Sequence, residues 1–460
     1  MPVRLRSASH PAAPGVALAF VGLLVPVAGG RWGSYISVPG VPIYLADVFV
    51  VIGLVALVIA KTTTRSREGV RVPIPKPLVI GSCVFSLVLS ANLLLAEWTD
   101  TLLVIRDAMP LVYLLLVPFF YQATALTGGL RTFRMLRVAC LIHTAWFTLA
   151  VFRLLPPISI GPISDVPAFT TRGDFDLLIA GLSIAVFLLD REWARGIRAL
   201  LTLLAGASLL AGGSRAGLIS GLILLGLAFV LARPKGHRIS PVLIAGSALF
   251  VAAVVPFVVS VFTDPPTWMR AVTRLFDTGS QEQASAQNTW GARLDAWQRI
   301  LEYTTQNPTQ TWWGSGLGSQ PILNSGAVVY LSGDPSVRAA HNFAVTWLAF
   351  FGIVGGVAIC SVLLLWTLGA FKNAARVRGI TGVGTSLIVA VIAAGLGGVI
   401  VESPFGYMTL IAGIALAYQG VPFAYSATQS TSPRPQPATA GSKRRFDKNN
   451  ARLNSPSRNA

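Results

Sequence analysis

Residues 216–238 of this 460-residue chain read AGLISGLILLGLAFVLARPKGHR, an apolar run that ends in a basic cluster. The run 216–232 contains no charged residue, whereas the next six positions include Arg233, Lys235 and Arg238. An uninterrupted apolar segment of this kind fits a membrane helix. A basic cluster at one end of it is typical of a cytoplasmic loop. The same pattern recurs along the chain and predicts an all-α, polytopic integral membrane protein.

The overall composition supports this prediction. Hydrophobic residues make up 53% of the chain and charged residues only 12%, whereas soluble domains carry roughly 25% charged residues. That deficit argues against a soluble enzyme, a disordered chain or a coiled coil. Embedding in a lipid bilayer accounts for so apolar a composition, because about 20 apolar residues cross one bilayer.

Apolar segments occur from the N-terminal region almost to the end of the chain, and we predict about twelve transmembrane helices from them. Two of the segments, 175–189 and 199–211, are short for a span, so tilted or kinked helices and a total of eleven remain open. The predicted segments are 14–30, 43–60, 77–96, 108–127, 135–155, 175–189, 199–211, 216–232, 239–262, 341–369, 380–401 and 407–424.

The distribution of charge orients these segments in the membrane. Most of the 36 Lys and Arg fall in seven segments that lie on one side if both termini are cytoplasmic. Among the 18 acidic residues, only Glu68, Asp190, Glu192 and Asp447 share those segments. The positive-inside rule explains this asymmetry. We therefore attribute the net charge of +18 to the orientation of the chain in the cell membrane. The charge implies no nucleic-acid partner.

Four regions follow from this topology. Residues 1–262 form the N-terminal membrane helices, 263–340 a large extracytoplasmic loop, 341–424 the C-terminal membrane helices, and 425–460 a basic cytoplasmic tail. The tail is rich in Ser, Pro, Thr, Arg and Asn and is predicted to be disordered.

The extracytoplasmic loop is the region in which function is expected, because long loops in compact proteins are usually functional. It contains five of the eleven Trp, namely Trp268, Trp290, Trp297, Trp312 and Trp313. We predict two short helices in it, at 266–277 and 290–305. A flexible turn is predicted at 314–318, where the sequence reads GSGLG.

Three positions on the outer side carry groups suited to chemistry. Arg215 follows two glycines and Ser214 between apolar runs, and its guanidinium either binds an anion such as phosphate or reaches the outer interface from a tight helical hairpin. Arg293 and Trp297 share one face of the predicted helix. They form either a site for an anion and a sugar ring or part of an ordinary exposed helix. His341 opens a membrane segment, either as a proton acceptor or as a helix cap.

Three stretches around these positions resemble the O-antigen ligase and polymerase superfamily of membrane glycosyltransferases. They read GGSRAGLISGLILL at 212–225, RLDAWQRILEYTTQNP…WWGSGLGS at 293–319 and AHNFAVTWLAFFGIVGG at 340–356. The resemblance covers about 200–370. The sequence departs from the family pattern at 350–352, FFG, where members often have an acidic or polar residue before the glycine. We assign no catalytic carboxylate there.

The resemblance implies transfer of a glycan from a polyprenyl-diphosphate donor at the outer membrane face, with inversion and without metal or another cofactor. Arg215 and Arg293 would hold the diphosphate and His341 would serve the acceptor hydroxyl. Trp297, Trp312 and Trp313 are candidates for contacting the glycan. The acceptor is a glycan, a lipid or a protein, and ligase and polymerase activities are not separated by these motifs. The alternative is a transporter or lipid-carrier flippase.

The charge pattern predicts which positions a water-soluble thiol reagent reaches from outside. Cysteines introduced at Trp297 and Gly316 should react in intact cells, whereas cysteines at 65, 235 and 445 should react only after the membrane is permeabilised. Labelling of position 316 only in permeabilised cells would contradict the predicted topology.

Overall fold

The computed structural model describes residues 13–37, 43–63, 72–96, 98–190, 192–212, 214–232, 290–331, 333 and 337–420. These residues fold into helices, with two isolated β-bridges between Ser37 and Tyr44 and between Ile158 and Ala168. The predicted span 239–262, the predicted helix 266–277 and the tail 425–460 lie outside the described residues.

Helices follow one another along all of the described segments. The α-helices are α1 Ala13–Ser34, α2 Leu45–Thr63, α3 Lys76–Leu94, α4 Thr101–Leu115, α5 Val117–Thr127, α6 Gly129–Val151, α7 Gly173–Leu189, α8 Arg195–Ala211, α9 Arg215–Leu231, α10 Trp290–Thr305, α11 Pro308–Trp313, α12 Pro321–Asn324, α13 Val328–Leu331, α14 Phe343–Val377, α15 Ile380–Gly395 and α16 Pro404–Ala417. A short 3₁₀ helix covers Gly161–Ile163.

The all-helical architecture is confirmed, but twelve membrane spans are not. Five described helices are long and apolar enough to cross a bilayer, and a sixth span results if α4 and α5 are counted together. The predicted span 108–127 overlaps this pair, which is bent by 49°. Apolar helices such as α15 and α16 are shorter than the ~20 residues that one crossing requires.

These shorter apolar helices form the centre of the bundle. Every residue of α16 from Phe405 to Ala417 is buried, and α7 and α15 are buried along most of their lengths. By contrast, α2 exposes an apolar stripe made of Val51, Ile52, Val55, Val58 and Ile59. A helix that is apolar all round is a buried helix, and an exposed apolar stripe fits contact with lipid.

Small residues bring the helix backbones into close contact, as is usual in membrane bundles. A Cβ atom added at Gly53 of α2 would lie 2.0 Å from the Ala19 backbone nitrogen of α1. A Cβ added at Gly181 of α7 would lie 2.4 Å from the Gly221 carbonyl oxygen of α9. The second contact fixes α9 beside α7. Both of these helices begin at the candidate site.

The described part of the loop 263–340, which the sequence predicts to be extracytoplasmic, is folded against the bundle. Helix α10 has the bounds predicted from the sequence, and Asn307 then caps α11 by accepting a hydrogen bond from the Thr309 N–H at 2.9 Å. Ala296 and Ile300 of α10 pack in one apolar cluster with Ile322, Leu331 and Ala349. Ala349 belongs to α14, so this cluster joins the loop to a membrane helix.

The predicted flexible turn at 314–318 is instead fixed in place by a break in α14. Gly352 adopts φ +63°, which interrupts the helical hydrogen bonding around it and leaves the preceding carbonyls without their usual donors. The N–H groups of Ser315 and Gly316 donate to the carbonyls of Ala349 and Phe350, at 2.9 and 3.0 Å. The turn therefore completes the hydrogen bonding of the broken helix.

A buried ion pair provides a second attachment of the loop. The guanidinium of Arg338 contacts the carboxylate of Asp107 on α4, and their side chains are only 9% and 8% exposed. The same carboxylate accepts the Gly318 N–H at 3.1 Å, and the Arg338 guanidinium lies 5.5 Å from the centre of the Phe350 ring. Arg338 thus fixes the chain three residues before His341.

The close approach of α1 and α2 predicts that Gly53→Ala destabilises the protein. The added methyl group collides with main-chain atoms of Ala19, which have no other rotamer to adopt, and overpacking of this kind costs about 1–3 kcal/mol. Thermal unfolding of the purified protein in detergent measures the change.

Gly206→Ala is the matched control, because an added Cβ there meets no atom within 4 Å inside helix α8. This variant should keep or slightly raise the melting temperature, since alanine favours helix over glycine. Equal melting temperatures for the two variants would contradict the packing of α1 on α2.

Candidate active site

His341 is held in a constrained position directly before α14. Its backbone has φ +59°, a left-handed conformation that is uncommon for non-glycine residues. The preceding residue, Ala340, accepts a hydrogen bond from the Trp297 indole N–H at 2.7 Å and donates its own N–H to Thr346 at 2.9 Å. Asn342 caps α14 by accepting the Ala344 N–H. The cap predicted as an alternative for His341 is thus supplied by Asn342.

Arg293 is partly buried and turned toward the membrane bundle. One terminal nitrogen of its guanidinium donates to the carbonyl of Gly397, in the linker between α15 and α16. Its Nε is buried and has no hydrogen-bond partner among the described residues. Burial lowers the pKa of Arg293, the carboxylate of Asp174 opposes this, and the charge of Arg172 adds to the lowering. An anion bound here would supply the missing hydrogen-bond acceptor.

Arg172 and Asp174 form an ion pair at the start of α7. The Arg172 Nε lies 2.9 Å from Asp174 Oδ1, and the guanidinium lies 5.2 Å from the centre of the Phe405 ring of α16. Arg172 acts electrostatically on both Arg293 and His341. Two guanidinium groups and the carboxylate of Asp174 therefore share a single neighbourhood.

The N-terminus of α9 borders the same neighbourhood. Ser214 caps this helix by accepting the Gly217 N–H at 3.2 Å, the usual role of a serine at this position. A Cβ added at Gly217 would lie 2.1 Å from the Gly173 carbonyl oxygen, and one added at Gly397 would lie 3.8 Å from the Ala216 methyl group. Arg215 is the first residue of α9, but its side chain lies outside the described part of the structure.

A buried carboxyl group, Glu402, lies in the linker between α15 and α16. Its Oε1 accepts a hydrogen bond from Thr346 Oγ1 at 2.9 Å, and its Oε2 has no described partner. Burial raises the pKa of Glu402 to about 7, although Thr346 and Arg172 act in the opposite direction. Thr346 contacts both Glu402 and the Ala340 N–H, so it links this acid to the segment that carries His341.

The electrostatic environment keeps His341 neutral. Burial lowers its pKa to about 4, the charges of Arg293 and Arg172 add to this, and Asp174 opposes it. Above that pH the imidazole retains a free lone pair, so it can accept a proton. Positive charge that disfavours imidazolium would be offset by a bound polyanion.

The three candidate tryptophans occupy different environments. The Trp297 indole N–H donates to the Ala340 carbonyl, and the ring packs against the apolar cluster under the loop. The hydrogen bond to Ala340 thus helps to fix the position of His341. Trp312 and Trp313, at the end of α11, are 54% and 47% exposed. The main chain of Trp312 lies against the break of α14, because a Cβ added at Gly352 would lie 2.4 Å from its carbonyl group.

A second buried pair lies deeper in the bundle. His143 Nε2 of α6 lies 3.4 Å from Asp176 Oδ1 of α7, and both side chains are fully buried. Asp176 also accepts the backbone N–H of Arg172, which it fixes at the start of α7. His143 is therefore a hydrogen-bonded residue of the bundle interior.

Sequence reasoning did not assign roles to Arg172, Asp174 or Glu402. The two acids were recognisable as outer residues next to apolar segments, and Arg172 adjoins Asp174 in the stretch TTRGD at 170–174. Nothing in the spacing connects these positions with Arg293 or His341, because they come together only through the packing of α7, α9 and the loop.

Comparison with known families finds a match, which covers part of this site. Residues 200–360 match the family model described as O-antigen ligase, which confirms the resemblance drawn from the three sequence stretches. The matched segment contains Arg215, Arg293 and His341, whereas Arg172 and Glu402 lie outside it. No curated protein matches the chain.

Residues 200–360 are thus similar to the O-antigen ligase family of polysaccharide biosynthesis, and the apolar helices of the chain make it a multi-pass membrane protein.

Proposed function

We propose that this enzyme transfers a glycan from a polyprenyl-diphosphate carrier to an acceptor hydroxyl at the outer face of the cell membrane. The observation that supports this most directly is the grouping of Arg293, Arg172 and His341 beside the start of α9. Guanidinium groups bind phosphate through paired hydrogen bonds. A neutral imidazole next to them is suited to accept the proton that the acceptor loses.

The reaction follows from these two functions. The acceptor oxygen attacks the anomeric carbon of the donor, the bond from that carbon to the diphosphate oxygen breaks, and the electron pair leaves with the polyprenyl diphosphate. Arg293 and Arg215 hold the diphosphate and stabilise the charge that develops on it, and Arg172 adds to that field. His341 takes the proton of the acceptor hydroxyl, and attack from the opposite face inverts the sugar centre.

Donor binding should strengthen the base. A pKa of about 4 makes free His341 a weak proton acceptor, and part of the lowering comes from Arg293 and Arg172. The negative diphosphate neutralises both cations, which removes their repulsion toward imidazolium and raises the pKa of His341. His341 therefore accepts a proton readily only when the glycan donor is bound. In the empty site it stays unprotonated.

The exposed rings of Trp312 and Trp313 are the proposed contacts for the glycan, since aromatic faces pack on sugar rings. Trp297 would contact the glycan only with the part of its ring that the apolar cluster leaves free. The acceptor is a second glycan, a lipid or a protein, and the arrangement serves ligase and polymerase reactions equally well. No metal or other cofactor is assigned a role in this mechanism.

Removal of either donor-binding arginine should abolish transfer. We expect Arg293→Ala and Arg215→Ala each to lower the transfer rate by at least ~10²-fold, the loss typical for one group that stabilises developing charge. Lysine at either position should restore little, because an ammonium lacks the paired donors of a guanidinium. The assay uses purified protein, lipid-linked glycan and acceptor, with EDTA present throughout.

Arg299→Ala is the matched control, since Arg299 lies on the same helix as Arg293 but its guanidinium packs 5.0 Å from the centre of the Tyr330 ring. This variant should transfer glycan at the wild-type rate. Full activity of both Arg293→Ala and Arg215→Ala would refute the diphosphate-binding role. Movement of intact lipid-linked glycan across vesicles without transfer would instead support the flippase alternative.

The environment of His341 predicts a particular pH dependence. Because kcat/KM reports groups of the free enzyme, it should lose activity through His341 only as pH falls toward about 4. The acid limb of kcat, which reports the donor complex, should lie at higher pH because the diphosphate raises the pKa of His341. Initial rates from about pH 3.5 to 8.5 at varied donor concentration separate the two profiles.

Glu402, with a pKa of about 7, contributes its own ionisation, so the same profiles are measured in Glu402→Gln. A limb that disappears in this variant belongs to Glu402. His341→Asn should lower kcat by about 10²–10⁴-fold, the usual contribution of a general base. Wild-type rates in His341→Asn, or an acid limb of kcat at lower pH than that of kcat/KM, would overturn the assigned role.

A further inference from the structure

A groove of about 430 Å³ lies where the chain bends between α4 and α5. Its lining residues are far in the sequence from those of the candidate active site. Its floor is formed by Leu115, Pro118, Phe119 and Gln122 on both sides of that bend. Helices α2 and α3 both pack against α5, and they contribute the walls. The groove is therefore a product of the 49° bend, which moves α5 away from the line of α4.

The polar requirements of the bend are met from α3. Pro118 has no N–H to donate back along the helix, and a single residue, Leu116, separates the two helices. The hydroxyl of Ser82 donates to the Leu115 carbonyl at 2.8 Å. The remaining surface of the groove is mainly apolar, with Val79 and Phe119 each 42% exposed. An apolar groove on a membrane helix bundle is suited to an acyl chain.

Positive charge collects at one end of the groove. Lys61, at the end of α2, lines it, donates to Gln122 and lies 5.9 Å from the centre of the Phe119 ring. Among the described residues, Lys61 forms no ion pair with a carboxylate. Helix α3 begins at the same end, between the lining residues Ile74 and Val79, with exposed Lys76 and without a side-chain cap.

These features combine one ammonium group, one helix N-terminus and an apolar channel. A helix N-terminus favours negative charge, and basic pockets between membrane helices bind anionic lipid headgroups. Position 65, in the segment between α2 and α3, is also predicted from the charge pattern to be cytoplasmic. An anionic lipid matches both ends of the groove, because its phosphate meets the cations and its chain meets the apolar walls.

We propose that this groove binds an anionic glycerophospholipid, with the phosphate at Lys61 and one acyl chain along Phe119 and Val79. A zwitterionic lipid such as phosphatidylcholine would fill the channel, but its choline cation offsets much of the attraction between its phosphate and the ammonium group. Inorganic phosphate would meet the ammonium group but leave the apolar channel unfilled. Occupancy therefore depends on headgroup charge and on the chain together.

Cys83 provides a built-in reporter, because it lines the groove and is exposed. The full-length protein is placed in nanodiscs of phosphatidylcholine alone or with phosphatidylglycerol, and alkylation by N-ethylmaleimide is followed by peptide mass spectrometry. Phosphatidylglycerol should slow the alkylation of Cys83 by roughly fivefold, the effect expected of one basic residue near an anionic lipid. Inorganic phosphate added to phosphatidylcholine discs should not slow it.

Two cysteines of the same molecule act as internal controls. Cys360 lies on α14 outside the groove lining, so its rate reports any general effect of the lipid on the reagent. Cys140 is fully buried and should stay unlabelled as long as the protein is folded. Lys61→Gln should remove the protection of Cys83 while Cys360 and Cys140 behave as in the wild type, and Lys61→Arg should keep it.

Three results would overturn the proposal. The first is an equal Cys83 rate in the two lipid compositions, and the second is protection that persists in Lys61→Gln. The third is equal protection by inorganic phosphate, which would identify the ligand as a free anion. None of these outcomes depends on glycan transfer, so the proposed enzymatic function is tested separately.

Discussion

The break of α14 at Gly352 is the constraint on which the arrangement of the site depends. A helix interrupted inside an apolar bundle leaves backbone carbonyls that must find donors, because an unpaired buried carbonyl is costly. Ser315 and Gly316 supply those donors from the loop. The loop is therefore positioned by main-chain hydrogen bonds rather than by side-chain packing alone, and α10 and His341 are carried to the bundle with it.

From this contact the rest of the site is built in successive layers. The apolar cluster around Ala296 and Ala349 orients α10, and the Trp297 indole then fixes Ala340. Arg293 reaches down from α10 to the Gly397 carbonyl, between α15 and α16. Arg172 reaches the same place from the start of α7. Charges from segments distant in the chain thus meet at the end of the central helices.

Much of the fold was predictable, because apolar runs and basic loops follow directly from the chemistry of a bilayer. The helix at 290–305 was likewise predictable from its periodicity and from the Asn307-Pro308 stop. The number of crossings was not, since α15 and α16 are as apolar as true spans but shorter and buried within the bundle. Apolar composition alone does not separate a helix covered by lipid from one covered by other helices.

The site was predictable in part, for a related reason. Arg293 and His341 stand out because each is polar beside apolar or aromatic neighbours, and the family motifs add to that signal. Arg172 and Glu402 are single polar residues at helix ends, where such residues are common. Their importance depends on which other helix ends lie nearby, and that is a property of packing. The turn at 314–318 was misjudged because its glycines indicate freedom, whereas its hydrogen bonds to α14 remove that freedom.

The left-handed backbone of His341 has a thermodynamic consequence. A non-glycine residue held at φ +59° costs about 1–2 kcal/mol, and the hydrogen bonds on Ala340 and Asn342 must hold it there. The protein therefore gives up conformational stability at the residue assigned to proton transfer. Local strain of this kind is characteristic of positions selected for chemistry rather than for folding. Glycine at 341 would relieve the strain, so under the proposed mechanism the histidine keeps the imidazole in place at the expense of thermal stability.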